Sequence, residues 1–227
     1  MTHDPRELVR SIRPQVYGSG SPFKISDPLI EPLWTGMRVL AGIDRTGTTL
    51  LDADSVQIDG MEAIVEGLTA AVAAAAEDGL VIDGFITRQP GQDIKRAVWS
   101  DEVPSMGRIL GLRRNRAVDT VKLKEAALIE HAFDPDDVLT FVAIDLLWLD
   151  DTPLLDVPLL ERRRLLDSAL GESEVVRLGA FIRPPIDHWV HSWRAQGFGG
   201  LTYKGANSRY LPGQPNPDWL VAGMPRR

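Results

Sequence analysis

The chain has no cysteine. Disulfides, thiolate catalysis and cysteine-ligated zinc or iron–sulfur sites are therefore excluded. It also lacks any apolar run approaching the ~20 residues that a bilayer-spanning helix requires. The opening Met1-Thr-His-Asp-Pro-Arg-Glu has no apolar core and does not read as a secretory leader. A cytoplasmic location, with no membrane partner, is the expectation. Positive charge is scarce as well: 25 Lys and Arg stand against 32 Asp and Glu, a formal net charge of -7. Phosphate neutralisation supplies most nucleic-acid affinity, so this balance disfavours a nucleic-acid partner without forbidding a local basic face. The one dense basic stretch holds Arg108, Arg113, Arg114 and Arg116, with Lys122 and Lys124 beyond. Arg113, Arg114 and Arg116 are the candidates for a nucleic-acid backbone. A solvated face that offsets nearby acids is the competing reading.

What is present organises into alternating strands and helices. At 227 residues the chain can bury a sizeable core. Prolines and glycines interrupt the first thirty or so residues, and 1–24 reads as an irregular lead-in. Met37 to Ile43 and Thr48 onward read as two strands joined by an Asp44-Arg-Thr-Gly turn. Met61 to Asp78 reads as a helix, with Asp59 or Gly60 as its cap and Gly79 closing it. Leu80 to Thr87 and the strongly apolar Val138 to Leu149 read as strands. Thr120 to Ala132 has a helical period, and 88–118 is mixed. Asp156 is placed as the cap of a helix running to Leu170, with Pro158 in its first turn. Val175 to Arg183 reads as a strand, Pro185 to Gln196 as a helix, and Leu201 to Lys204 and Asp218 to Ala222 as strands.

Several polar groups invite a chemical role and have a plainer alternative. His188 and His191 lie three apart on a predicted helix and so share a face, but no third metal ligand is evident, and no metal site is assigned. Asp134, Asp136, Asp137, Asp150 and Asp151 sit at turn-like ends of elements, where Asp is favoured for backbone hydrogen bonding. Arg162 to Arg164 are placed on a helix exterior. The tryptophans read as core and rim packing.

Four segments, in order and at matching spacing, resemble the catalytic domain of ATP-dependent DNA ligases, with the nearest likeness to the bacterial repair ligases. The first is Glu31-Pro-Leu-Trp-Thr-Gly-Met-Arg-Val-Leu-Ala, where the family reads Glu-Pro-Lys-Trp/Tyr-Asp-Gly-x-Arg. The second is Val81-Ile-Asp-Gly-Phe-Ile, against Leu-Asp-Gly-Glu. The third is Phe141-Val-Ala-Ile-Asp-Leu-Leu-Trp-Leu-Asp-Asp with the following Leu155-Asp-Val-Pro-Leu-Leu-Glu-Arg-Arg-Arg-Leu-Leu, which is nearly the family consensus. The fourth is Gly197-Phe-Gly-Gly-Leu-Thr-Tyr-Lys, then Ser208-Arg-Tyr-Leu-Pro-Gly and Pro217-Asp-Trp-Leu.

The resemblance implies an α+β fold of the DNA ligase/mRNA capping enzyme type, with two antiparallel-rich sheets, flanking helices and a central cleft. It implies one nucleotidyltransferase domain over 1–227, and the stop at Arg227 leaves no room for the family's C-terminal OB-fold domain. Such ligases attack the α-phosphate of ATP with a lysine amine, aided by a divalent metal and basic side chains. Here the lysine position is Leu33, and the aspartate two residues on is Thr35. The carboxylate after Asp83-Gly84 is Phe85, and the ring that stacks on adenine is Ile144. The glutamate before Gly200 is Gly199, and the terminal lysines match Val221 and Gly223. Arg38, Asp83 and Lys204 are retained, and Arg38 and Lys204 are candidates to meet an anion. Asp145 is a candidate to cap or to bridge.

The expectation is therefore a ligase-like pseudoenzyme that binds a protein or ligand and uses no cofactor. One alternative is a diverged, active nucleotidyltransferase with a relocated nucleophile such as Lys24 or Lys204, which would use ATP and Mg. Another is a nucleic-acid-binding module without catalysis.

Overall fold

A computed structural model of the chain describes residues 4–72, 76, 78–88 and 138–225. The expected helix over 120–132, the mixed stretch 88–118, the basic residues from Arg108 to Lys124, and Asp134, Asp136 and Asp137 lie outside the described residues, apart from Arg88 itself.

The large sheet has the order β4-β3-β5-β6-β7, with β8 added against β6. Its strands are β3 (Met37–Asp44), β4 (Gly47–Leu51), β5 (Leu80–Arg88), β6 (Leu139–Leu149), β7 (Thr152–Pro153) and β8 (Val176–Leu178). All its pairings are antiparallel except β6 with β8. A smaller antiparallel sheet sets β9 (Gly200–Gly205) between β11 (Trp219–Gly223) and β2 (Pro28–Pro32). Two short strands, β1 (Val16–Tyr17) and β10 (Pro215–Asn216), pair in parallel. The helices are α1 (Pro5–Leu8), α2 (Glu62–Ala71), α3 (Leu159–Ala169) and α4 (Asp187–Ala195).

Alternation along the strands divides the core in two. Val39, Ala41 and Ile43 of β3 and Ile82 and Ile86 of β5 face α2 (Ile64, Leu68) and α3 (Leu166, Ala169). The opposite face of the large sheet, with Leu40, Leu51, Val81, Leu147 and Trp148, joins the small sheet through Leu29, Trp219 and Val221. Beyond the small sheet, Val190 and Trp193 of α4 belong to that same cluster. The residues expected to line a cleft between the sheets are buried, except the half-buried Gly199, as detailed below.

Two register shifts between β5 and β6 decide what faces that layer. Gly84 pairs with Ala143 and Asp83 with Asp145, which leaves Ile144 as an extra residue. Ile82 pairs with Leu146 and Val81 with Trp148, which leaves Leu147 as another. A two-residue period through Phe141 and Ala143 would carry Asp145 onto the helix-covered face. The bulge at Ile144 turns it to the face that carries Asp83.

Several boundaries move for physical reasons. The helix expected to reach Asp78 ends at Ala71. Val72 is extended and bridges Leu170, and Gly171 N–H closes the Ala71 carbonyl at 2.7 Å. Neither Asp59 nor Asp156 caps a helix. The first amides of α3, at Leu159 and Leu160, donate instead to the Ser208 and Ala206 carbonyls, while Asp156 pairs with Arg209 at 3.2 Å. The strand expected over 175–183 is only Val176–Leu178, and Ile182 makes an isolated bridge to Ile30. The lead-in holds α1, capped by Asp4 through Arg6 N–H, then a 3-10 turn at Val9–Ser11 and β1. Asp150, expected at a turn, adopts positive φ there and accepts the Asp78 and Gly79 amides.

Gly36 sits between β2 and β3 at φ +124, and a Cβ there would lie 2.3 Å from the Ile86 carbonyl oxygen. Gly36→Ala should lower unfolding free energy by at least about 1–3 kcal/mol, the scale of one strained backbone position. Urea denaturation of the two proteins measures it.

Candidate functional site

Helix α3 places its arginines where the sequence reading did not. Leu159, Arg162, Arg163, Leu166 and Ala169 form its buried stripe, at the three- and four-residue spacing of one helix face. Arg162 and Arg163 therefore point inward, and only Arg164 is exposed, paired with Glu161 at 2.6 Å. The expected exterior position of Arg162 and Arg163 is corrected accordingly.

Arg162 is fully buried against Asp145, with Nε to Oδ1 at 2.8 Å and Nη2 to Oδ2 at 2.7 Å. Its remaining donors reach the carbonyls of Val157 and Ser208. Asp145 thus bridges, one of its two expected roles. Arg38 makes the same two-pronged contact with Asp83, at 2.5 Å for each bond. Asp83 also accepts the Tyr210 hydroxyl at 2.7 Å, and that hydroxyl accepts the Gln15 amide at 2.8 Å. Asp83 and Asp145 are direct cross-strand partners with no solvent exposure. Like charges so placed repel, and each is offset by its own guanidinium.

The small sheet contributes the third pair. Lys204, fully buried on β9, donates to Glu31 Oε2 at 2.7 Å and lies 4.3 Å from the centre of the Trp219 ring. The other Glu31 oxygen has no hydrogen-bond partner among the described residues and faces Arg163 at 3.9 Å. Arg163 binds the Ile144 carbonyl at 2.5 Å and the Gly179 carbonyl, and stacks over Phe181 at 5.1 Å. Arg38 and Lys204, expected as possible anion contacts, thus have their anions within the chain.

Electrostatics follow from burial. Burial opposes the Arg38 charge, but Asp83 holds its pKa above the ordinary value. Burial pulls the Lys204 amine below its ordinary value, with Glu31 acting in the opposite direction. Burial pushes the Tyr17 hydroxyl up to about 12, with Arg38 opposing and Glu31 assisting. Tyr210 rises well above its ordinary value, from burial first and then Asp83.

The exchanged positions cluster around these charges. Leu33 follows β2, donates its amide to Gly200 O at 2.9 Å and is 4% exposed within the apolar core. Its side chain fills the space beside Gly200: a Cβ on that glycine would lie 3.0 Å from Leu33 Cδ2. Phe85 lies under the Arg38 guanidinium at 4.6 Å and packs with Val142 and Ile144 beneath Trp34. Val221 is buried on β11 opposite Thr202. Thr35 is buried in the link before β3, and Gly199 is half-buried just ahead of β9. Arg113, Arg114 and Arg116 are outside the described residues. His188 and His191 are both exposed, and no group of three potential metal ligands occurs among the described residues.

Sequence reasoning missed Glu31, Arg162, Arg163, Tyr17 and Tyr210 as parts of this site. The helical stripe through Leu159 and Leu166 was the available signal for the arginines. Glu31 offered another, as a lone carboxylate in an otherwise apolar strand.

The fold is that of DNA ligase nucleotidyltransferase domains. Residues 113–221 match the family described as "ATP dependent DNA ligase domain". The ligase domain of LigD from M. tuberculosis matches at TM-score 0.61 and 21% identity, over 94% of this chain and 60% of that one. The ATP-dependent DNA ligase from bacteriophage T7, in complex with ATP, matches at TM-score 0.53 and 14% identity, over 95% of this chain and 69% of that one. The Chlorella virus DNA ligase-adenylate matches at TM-score 0.52 and 12% identity, over 94% and 67%. No curated protein sequence matches. The chain thus has the fold of an ATP-dependent DNA ligase-like domain, and it spans about 60% of the LigD ligase domain.

Removing one partner of a buried ion pair strands the other, so Asp145→Asn should destabilise the fold by roughly 3–5 kcal/mol in chemical denaturation. A folded pKa above the unfolded one stabilises below the unfolded value and is lost as pH rises. For Tyr17 that window runs from its ordinary 10.0 up to about 12. Tyrosinate absorbance from Tyr17 should therefore appear only with alkaline unfolding, and stability should fall as pH climbs through that window.

Proposed function

We propose that this ligase-like domain has lost self-adenylation and acts by binding a protein or ligand, with DNA repair as its setting. The burial of Leu33 carries the proposal. A leucine cannot form a phosphoramide, and its side chain is packed into the apolar core beside Gly200. An amine nucleophile at that position would need to be unprotonated and aimed at a phosphate.

ATP with a divalent metal fits these residues poorly. Phe85 and Gly199 offer no carboxylate, and Ile144 offers no flat ring for adenine. The charges of Arg38 and Lys204 are already neutralised by Asp83 and Glu31. A protein needs no such groups to serve as a partner. The repair setting rests on the likeness to bacterial repair ligases.

A second reading makes Lys204 the relocated nucleophile, and its depressed pKa favours that role. Against it, the amine is fully buried, hydrogen-bonded to Glu31 and stacked on Trp219. Lys24, the other candidate, is exposed in a 3-10 turn.

The test is incubation with radiolabelled ATP, GTP or NAD and a divalent metal, followed by denaturing electrophoresis. No label should remain on the protein, and a labelled band would overturn the proposal. Leu33→Lys should also remain unlabelled, because no metal-side carboxylate returns with the lysine. Measurable lysyl-adenylate in that variant would show that the remaining residues suffice.

A further inference from the structure

A groove of about 420 Å³ runs along α3, and neither Leu33 nor Lys204 lines it. That volume lies within the usual range of a small-ligand or side-chain pocket. One wall is the helix, with Arg163, Arg164 and Asp167; the other is the segment from Leu178 to Phe181, with Glu172 at one end. Leu166, which also lines the groove, is buried.

Arg163 ties the two walls together. It leaves the helix, binds the Gly179 carbonyl and stacks on Phe181. The groove is therefore held in shape before any guest arrives, which reduces the ordering penalty of binding.

The charges divide unevenly. Arg163 is committed to backbone carbonyls and to Glu31. Arg164 is committed to Glu161. Asp167 is exposed and has no ion-pair or hydrogen-bond partner among the described residues. Glu172 is exposed too, and only its Oε1 is used, accepting the Leu178 amide at 3.0 Å. The uncommitted charge of the groove is thus negative, beside an apolar surface of Leu166, Leu178, Ala180 and Phe181.

We propose that this groove binds a cationic side chain, arginine or lysine, presented by a partner protein. The apolar stem of such a side chain suits Leu178 and Phe181, and its head suits Asp167 and the open oxygen of Glu172. An overall charge of -7 favours encounter with a basic partner. The edge of β8 is closed to strand addition at Leu178, whose amide Glu172 already occupies. A side chain entering the groove needs no such edge. The inference stands whether or not the protein self-adenylates, so the labelling experiment above and the one below fail independently.

The test is a titration of the isotope-labelled full chain, followed by amide chemical shifts. The probes are acetyl-Leu-Arg-Leu-amide and acetyl-Leu-Glu-Leu-amide. The arginine peptide should shift Gly179, Ala180 and Leu166, and the glutamate peptide should leave them in place. Asp167→Asn should weaken the arginine peptide about threefold to fivefold, the scale of one exposed charge pair. Glu172→Gln should act in the same direction while keeping an oxygen for the Leu178 amide. Both positions are exposed, so the fold should persist, and unchanged dispersion of the remaining amides verifies it. Three results would each overturn the proposal: no shift with arginine, equal shifts with glutamate, or undiminished arginine binding in the double variant.

Discussion

Two acidic side chains from neighbouring strands face each other with no solvent exposure, and the fold must accommodate them. Asp83 and Asp145 are cross-strand partners at zero exposure. Unpaired, each would carry a desolvation penalty of several kcal/mol. Arg38 from β3 and Arg162 from α3 answer them, so one strand and one helix have fixed positions against β5 and β6. Arg163, one residue on, reaches across to Glu31 and so ties α3 to the small sheet as well. Geometry follows from charge here more than charge from geometry. An apolar layer of equal volume would tolerate sliding, whereas a two-pronged guanidinium–carboxylate contact does not.

These internal pairs hold the framework together without any bound ligand. The charged pairs lie in the layer where phosphate chemistry is expected from the resemblance, yet their partners are internal. Leu33, where the resemblance expects a lysine, lies in the apolar core beside Gly200. Phe85 gains the face of a guanidinium, and Ile144 gains Trp34.

The order of strands and helices was legible because periodicity is local. β3, β5 and β6 emerged from short apolar runs, and the four-segment resemblance supplied the topology that periodicity alone would not have singled out. The helix ends were less legible, since α3 is capped by carbonyls of residues 206 and 208, about fifty positions away. The identities at 33, 85, 144 and 221 were visible in the sequence; their burial was not. Partners were the hardest to read. Lys204 and Glu31 are separated by 173 positions and Tyr210 and Asp83 by 127, and no local pattern links such residues. The arginines of α3 were misplaced because charge suggested an exterior, although their spacing matched the buried stripe.

The pairing of β1 with β10 and the bond from Gln15 to the Tyr210 hydroxyl close the chain near both ends. A polypeptide emerging from the ribosome therefore exposes Asp83 well before Tyr210 and Lys204 exist to complete the layer. Its first half waits, with an acidic strand half-satisfied, for residues made more than a hundred positions later. Contacts of such long separation slow folding and expose intermediates. Any nascent chain shorter than 210 residues therefore lacks the Tyr210 hydroxyl that Asp83 accepts in the folded domain.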